Sequence, residues 1–188
     1  GHAIVSVDQS QLEPRVQTAI TGEPLLLETF AAGESIYRNV GAPLFGIPKD
    51  KLSKKHPAYG ASKLFILSGN YGAGANKQYA QLVEAGVKSQ IPGREEEPIT
   101  LEEVKTLRRR LETEILPCTA RFKDETCALV TQYGYAETVF GWRRKAVNWH
   151  PRDYKQLLSL NNHRIQSAAF GIVKRALLRI KKRFLAEG

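Results

Sequence analysis

In the stretch KLFILSGNYGAGANKQYAQLVEAG, residues 63–86, glycines 69, 72 and 74 stand between lysines 63 and 77. Glycine and lysine in company suggest a phosphate site, and two geometries are open to them. In a glycine-rich loop, backbone N–H groups cradle the phosphates, and GxxxxGK[ST] spacing lets the lysine after the second glycine reach them. Gly69 and Gly74 have that spacing, but Ala75 fills the lysine position. The dinucleotide pattern GxGxxG fails as well, since Lys77 replaces the third glycine after Gly72 and Gly74. The second geometry is a helix. At about 100° per residue, Tyr59, Lys63, Leu67 and Tyr71 each advance by only about 40° and share one stripe. A cation, an apolar side chain and an aromatic ring on one face match the phosphate, sugar and base of a nucleotide. An amphipathic helix with a snorkelling lysine has the same pattern, so both readings stay open on spacing alone.

The elements that must carry these residues follow from periodicity. Residues 3–7 (AIVSV) are apolar and β-branched and predict a buried strand ended by Asp8. Residues 10–33 have helical spacing with Gly22 and Gly33 as stops, and Pro48 to Asp50 mark a turn. Residues 58–91 lack proline until the IPGREEEP loop and predict one or two helices ending near Gly86. Thr100 with Glu103 forms a capping-box pattern opening a helix that Pro117 ends. YAETVFGWRRKAV, residues 135–147, predicts a hairpin whose tip carries Arg143, Arg144 and Lys145. The last helix repeats apolar residues at Ile165, Ala169, Ile172/Val173, Ala176, Ile180 and Phe184, with cations between them.

The chain has 188 residues, 42% hydrophobic and 25% charged, which fits one soluble globular unit. Its formal charge is +9, and the excess gathers late: twelve Lys/Arg against two acids from residue 143 onward. Such a segment fits a polyanion, nucleic acid before membrane, or else a solvated surface. No run of about eighteen apolar residues exists, which excludes a membrane helix. Cys118 and Cys127 follow no signal peptide and are expected as free thiols in a reducing compartment. The Gly1-His2 start and the absence of methionine suggest a trimmed piece.

Five ordered blocks resemble family A DNA polymerases. IVSVDQSQLEPRVQTAITGEPLLLETF (4–30) is similar to the D-Y-S-Q-I-E-L-R palm motif and the leucine-rich helix after it. AGESIYRNVGAPLFGIP (32–48) resembles G-E-D-I-H-x3-A-x3-F-G-x-P. Lys63 with Tyr71-Gly72 resembles K-x7-YG of the fingers helix. GYAETVFGWRRK (134–145) resembles G-Y-x2-T-x2-G-R-R-R, and NHRIQSAAFGIVKRALLRI (162–180) resembles N-x-P-x-Q-G-x-A-A-D-x2-K-x-A-M. The form SGNYGAG looks most like phage-type members. The resemblance implies an α+β, mostly α fold: palm motif and start of the fingers over 1–48, fingers helices over 49–133, and hairpin plus return helix over 134–188.

The same resemblance implies a DNA-directed DNA polymerase, transferring nucleotides to a primer 3′-hydroxyl with two Mg²⁺ ions, bound to primer–template DNA and a dNTP, in the cytoplasm of a bacterium or phage-infected cell. Asp8 and the carbonyl of Gln9 fall at metal-ligand positions, where hard oxygens suit Mg²⁺. Asp8 read alone would be a helix N-cap. Gln11, Glu13, Tyr37, Tyr59, Lys63, Leu67 and Tyr71 fall at nucleotide-binding positions. There Glu13 would gate the sugar with Tyr71, and Lys63, catalytic together with Asp8, would hold the triphosphate. Asn162 and Gln166 match readers of the DNA minor groove. Arg143, Arg144 and Lys145 match primer-phosphate contacts, with Lys174, Arg175 and Arg179 weaker candidates. Lys181, Lys182 and Arg183 read as a solvated face.

Departures from the family pattern are as specific as the matches. Tyr37 replaces a histidine and Tyr59 an arginine, both phosphate ligands, although phenol hydroxyls still donate hydrogen bonds. Leu158 replaces an arginine, Arg164 a proline and Gly171 an aspartate. The family's second metal-binding carboxylate, in a His-Asp-Glu triplet some thirty residues beyond the glutamine, finds no match before Gly188. The expectation is a fragment inactive without that palm portion. One chain of a split polymerase, with a second chain supplying the remainder, and a non-catalytic nucleic-acid-binding module are the alternatives.

Overall fold

The computed structural model of the chain describes residues 9–70, 73–89, 91 and 93–187. The expected strand over 3–7, Asp8 and Tyr71 lie outside the described residues. The described part is helical apart from one two-stranded sheet, in line with the mostly α expectation.

Helix α1 (Leu12–Thr21) turns Leu12, Val16 and Ile20 to one side, as four-residue spacing requires, and stops at Gly22. Gly22 has φ 65° and donates its N–H to the Thr18 carbonyl at 2.9 Å. The N-cap of α1 is Gln11. Gln11 itself has φ 56°, a left-handed backbone uncommon for a residue with a Cβ. Helix α2 (Pro24–Ala31) begins with proline, whose missing N–H costs nothing at a first turn. Helix α3 (Ile36–Phe45) contains Pro43, a residue that breaks the sequence signal of a helix.

The predicted helical region after residue 58 is two helices, α4 (Pro57–Asn70) and α5 (Ala75–Glu84). Helix α6 (Leu101–Arg110) opens with the expected capping box: the Glu103 N–H donates to Thr100 Oγ1, and Glu103 Oε2 accepts from the Thr100 N–H. Glu102 and Glu103 in its first turn and Arg108 to Arg110 in its last complement the helix dipole. A π-helical turn over Leu111–Ile115 follows, closed by the Leu116 N–H donating to the Leu111 carbonyl at 2.8 Å. Pro117 ends this run and serves as the first residue of α7 (Pro117–Tyr133). Apolar periodicity in the α7 segment is too weak to mark a helix.

Two bodies of apolar side chains result. The larger joins α2 to α6, with Ile36, Val40, Leu44, Leu52, Phe65 and Val104 at its centre. Gly41 of α3 lies so close to α4 that a Cβ there would stand 2.0 Å from Ser62 Oγ. The second body packs Val16 of α1 against Phe122 of α7 and Ile165, Ala168 and Ala169 of α8 (Tyr154–Glu187). A satellite of Val130, Ala136 and Leu160 extends it under the hairpin. Glu23, 1% exposed, joins the two bodies: its Oε2 accepts the Thr119 N–H at 3.0 Å, meeting an open donor in the first turn of α7.

The hairpin pairs β1 (Tyr135–Glu137) with β2 (Arg143–Lys145), Ala136 opposite Arg144. The turn between them is closed by the Thr138 N–H to the Trp142 carbonyl, and Thr138 Oγ1 accepts from the Trp142 N–H at 3.1 Å. Arg143, Arg144 and Lys145 therefore form the second strand, and the tip is Val139 to Gly141. The expected tip is thereby corrected: the Thr138–Trp142 pairing sets the turn before Arg143, so the cations fall in the strand after it. In α8 the apolar stripe is covered only as far as Ala169. Beyond it Ile172, Ile180 and Phe184 are exposed, the last at 75%. No helix among the described residues is long and apolar enough to cross a membrane.

Candidate nucleotide site and nucleic-acid interface

Helix α4 supplies one face of the candidate nucleotide site. Its buried side carries Ala58, Ala61, Phe65 and Ile66, which roll into the larger core. That rotation leaves Lys63, the only cation of the helix, exposed, with Tyr59 and Leu67 half-buried beside it. Leu67 lines a groove between α4 and α5 together with Leu64, Ser68, Ala73, Lys77 and Gln81. Lys77 thus shares a groove with Leu67, a neighbour that the stripe on α4 alone did not foresee.

The two tyrosines at expected cation positions meet each other. Tyr37 on α3 and Tyr59 on α4 stand edge to face, centroids 5.8 Å apart and planes at 74°. The Tyr59 hydroxyl shares a hydrogen bond of 2.9 Å with Ser35 Oγ. Burial pushes the Tyr37 phenol above its ordinary value, and the neighbouring Tyr59 adds to this. A phenol carries no positive charge, so the pair supplies dipoles alone. Lys63 stands without the flanking cations its position implies.

The join between α4 and α5 is held from the side by residues that the sequence did not mark. Gln78, buried in α5, donates from Nε2 to Ser68 Oγ at 3.1 Å and to the Phe65 carbonyl at 3.4 Å. Arg108 of α6 donates to the Ala73 carbonyl at 2.6 Å and to Gln78 Oε1 at 3.4 Å. Glu112 pairs with the Arg108 Nε at 2.9 Å, compensating its charge where it is mostly covered. Thirty residues separate Gln78 from Arg108, and no local pattern announces such a contact.

On the other body, Gln11 and Glu13 sit half-buried on α1, while α8 presents Asn162 half-buried and Gln166 exposed. Because α1 packs on α8 through Val16 and Ile165, these four residues belong to one rigid assembly. The hairpin cations are exposed but partly engaged. Arg143 pairs with Glu137 across the strands, and its guanidinium lies 4.5 Å from the Tyr135 ring. Arg144 reaches the Ser159 carbonyl at 3.4 Å. Lys145 is exposed.

Arg164, which had no assigned role, is a structural residue. Its Nη1 donates to Thr126 Oγ1 at 2.8 Å and its Nε to the Glu137 carbonyl at 3.3 Å. The guanidinium lies 4.2 Å from the Phe122 ring centroid, and desolvation lowers its affinity for the proton. Arg164 thereby ties α8 to α7 and β1.

For a divalent metal, the two donors expected from the sequence are of suitable kind. A carboxylate at Asp8 and the carbonyl of Gln9 are hard oxygens, but Mg²⁺ takes about six such ligands. Gln9 is exposed, and among the described residues no group of three or more His, Cys, Asp or Glu converges.

Comparison with known proteins bears on the whole arrangement. DNA polymerase I of Rhizobium leguminosarum is 23% identical over 197 residues, covering 100% of this chain and 17% of that protein. A solved structure, the POL domain of Pol1 from M. smegmatis in complex with DNA primer-template and dNTP, superposes with a TM-score of 0.76 and 21% identity. That match covers 95% of this chain and 29% of the other and establishes a shared fold. The chain thus spans less than a third of either relative. In both, the matched part lies within one longer chain, which gives no support to a second chain carrying the rest of the palm. The model of the DNA polymerase A family, described as "DNA polymerase family A", matches residues 1–188, and the chain belongs to that family.

Proposed function

We propose that this chain is the fingers and adjoining palm segment of a DNA-directed DNA polymerase, which adds dNTPs to a primer 3′-hydroxyl under template direction. The observation that carries the proposal is Lys63. Helix α4 buries one face in the core and turns its only cation outward, beside an apolar groove wall at Leu67. Phosphoryl transfer asks a protein mainly to position groups and stabilise charge, and an exposed ammonium on a rigid helix does both for a triphosphate. Glu13 on α1 is assigned to the sugar, with Gln11 beside it. Asn162, Gln166, Arg143, Arg144 and Lys145 are assigned to the primer–template. Asp8 and the Gln9 carbonyl would hold Mg²⁺, which when bound supplies Lewis-acid stabilisation of the transferring phosphoryl group.

The test is dNTP binding and incorporation by Lys63→Ala and Lys63→Arg. A charge-assisted hydrogen bond contributes about 1.5 to 3 kcal/mol, so Lys63→Ala is expected to weaken dNTP binding roughly tenfold to a hundredfold. Lys63→Arg should keep most of the affinity. Unchanged binding in Lys63→Ala removes the assignment.

A second reading, a nucleic-acid-binding module without catalysis, is favoured by one observation. Tyr37 and Tyr59 are turned to each other and to Ser35, in place of two phosphate-binding cations. DNA binding with no measurable dNTP binding in the unaltered chain would select this reading.

A further inference from the structure

The hairpin meets α8 at an exposed aromatic patch that none of the assignments above uses. Trp142 and Phe170 stand with ring centroids 6.4 Å apart and planes tilted by 51°, at 37% and 61% exposure. Phe140 supports Trp142 from behind, 6.3 Å away, and the Arg175 guanidinium lies 4.4 Å from the Phe140 ring centroid. Gly171 makes the packing possible: a Cβ there would stand 2.8 Å from Phe140 Cδ2 and 3.3 Å from Trp142 Cη2. The glycine that replaces an aspartate of the family pattern is therefore the seat of this cluster, and Trp142 replaces the first arginine of G-R-R-R. The two departures meet in space.

The position of Phe170 on α8 says what the patch faces. Asn162, Gln166, Phe170 and Lys174 follow one another at four-residue intervals and form a single slowly turning band on the helix. The first two are the residues assigned to DNA. Phe170 continues their band by one turn and Lys174 by two. Arg144 lies two residues from Trp142 along the hairpin. Exposed rings flanked by cations, continuous with a polar band, match a strand whose bases are unpaired: each base has a π-face to stack, and each phosphate a charge to meet. A duplex hides those faces.

We infer that Trp142 and Phe170 form a stacking platform for an unpaired base of single-stranded DNA, with Lys174 and Arg144 meeting the adjoining phosphates. The ligand class rests on the polymerase reading above, but the platform has its own test. The chain has two tryptophans, so Trp149→Phe leaves Trp142 as the sole indole reporter. Its fluorescence is followed on titration with oligothymidylate, with an abasic strand of the same length and with a blunt duplex. Quenching by oligothymidylate well beyond either control is expected. Phe170→Leu, which keeps bulk and loses the π-face, should weaken oligothymidylate binding roughly tenfold, and Phe170→Tyr should restore it. Equal quenching by the abasic strand or the duplex, no quenching at all, or parental affinity in Phe170→Leu each overturns the inference. Circular dichroism and urea midpoints check that both variants stay folded. Measuring dNTP binding in parallel separates the two proposals: Lys63→Ala should lose dNTP and keep the oligothymidylate quench, whereas Phe170→Leu should do the reverse.

Discussion

The body formed by α2 to α6 and the body formed by α1, α7, α8 and the hairpin treat their departures from the family pattern in opposite ways. In the first, tyrosines replace cations at 37 and 59, and both rings turn to each other and join the margin of the core. In the second, Trp142, Phe170 and Gly171 build a cluster whose rings remain open to solvent. A side chain near a well-packed core is drawn into it because burial of apolar area outweighs a hydroxyl that finds a partner. On a hairpin and a long helix with little above them, the same kind of replacement stays at the surface. Departures of the first sort change what a site lacks, and departures of the second sort change what a surface offers.

Two glycines give the sharpest way to break that comparison, because each is flush against a neighbour. Gly41 lies between α3 and α4, where a Cβ would meet Ser62 Oγ at 2.0 Å and Leu52 Cδ2 at 3.0 Å. Ser62 is fully buried and donates to the Ala58 carbonyl at 2.6 Å, so it has nowhere to retreat. Gly41→Val is expected to destabilise the fold by about 3 kcal/mol, read as a lower urea midpoint at constant slope. Gly171→Val meets the Phe140 and Trp142 rings, at 2.8 Å and 3.3 Å from a Cβ, but both are partly exposed and can swing outward, so it should cost less than about 1 kcal/mol. Equal losses at the two positions would mean that the hairpin is packed as firmly as the helical core.

Arg164 tests the second body where α8 is tied to α7. Arg164→Ala removes the hydrogen bonds to Thr126 and the Glu137 carbonyl and the cover over Phe122, while relieving the desolvation of the guanidinium. These oppose each other, and a net loss of about 1.5 kcal/mol is expected from urea unfolding. If the loss approached that of Gly41→Val, the anchoring of α8 to α7 would be as stringent as the α3–α4 crossing.

These positions also mark what the sequence could and could not disclose. Local chemistry was legible where one segment settles the matter: Gly22 at a left-handed helix end, Thr100 and Glu103 as reciprocal caps, the two strands around Phe140-Gly141. Helix α3 was obscured by Pro43, and α7 by a composition of scattered polar and apolar residues with a weak periodic signal. Long-range contacts left no trace. Arg164 reads as one more cation on a basic helix until Thr126, 38 residues earlier, accepts its hydrogen bond. Nothing local to Glu23 announces the Thr119 N–H that meets it from 96 residues away. In the candidate site, Lys63 was legible because helical spacing fixes its direction once the apolar face is known. The mutual engagement of Tyr37 and Tyr59 was not, since it depends on how α3 crosses α4.

An effect smaller than those at Gly41 and Arg164 concerns that tyrosine pair. Tyr59→Phe keeps the edge-to-face ring and deletes the hydrogen bond with Ser35, for a loss of about 1 kcal/mol. Tyr37 adds a dependence on pH. Its folded-state value is raised by burial first and by Tyr59 second, above an unfolded phenol near 10. With a raised value, the folded chain holds its proton after the unfolded chain has released it. The contribution to stability is therefore complete below about pH 10 and declines as pH rises through the folded value. Alkaline unfolding curves should show this decline in the unaltered chain and a shallower one in Tyr37→Phe, with Tyr59→Phe between them because it removes the secondary cause. A slope unchanged by Tyr37→Phe would place the titration elsewhere and would mean that Tyr37 stands in solvent. It would then be available to a phosphate, and the two bodies would treat their departures alike.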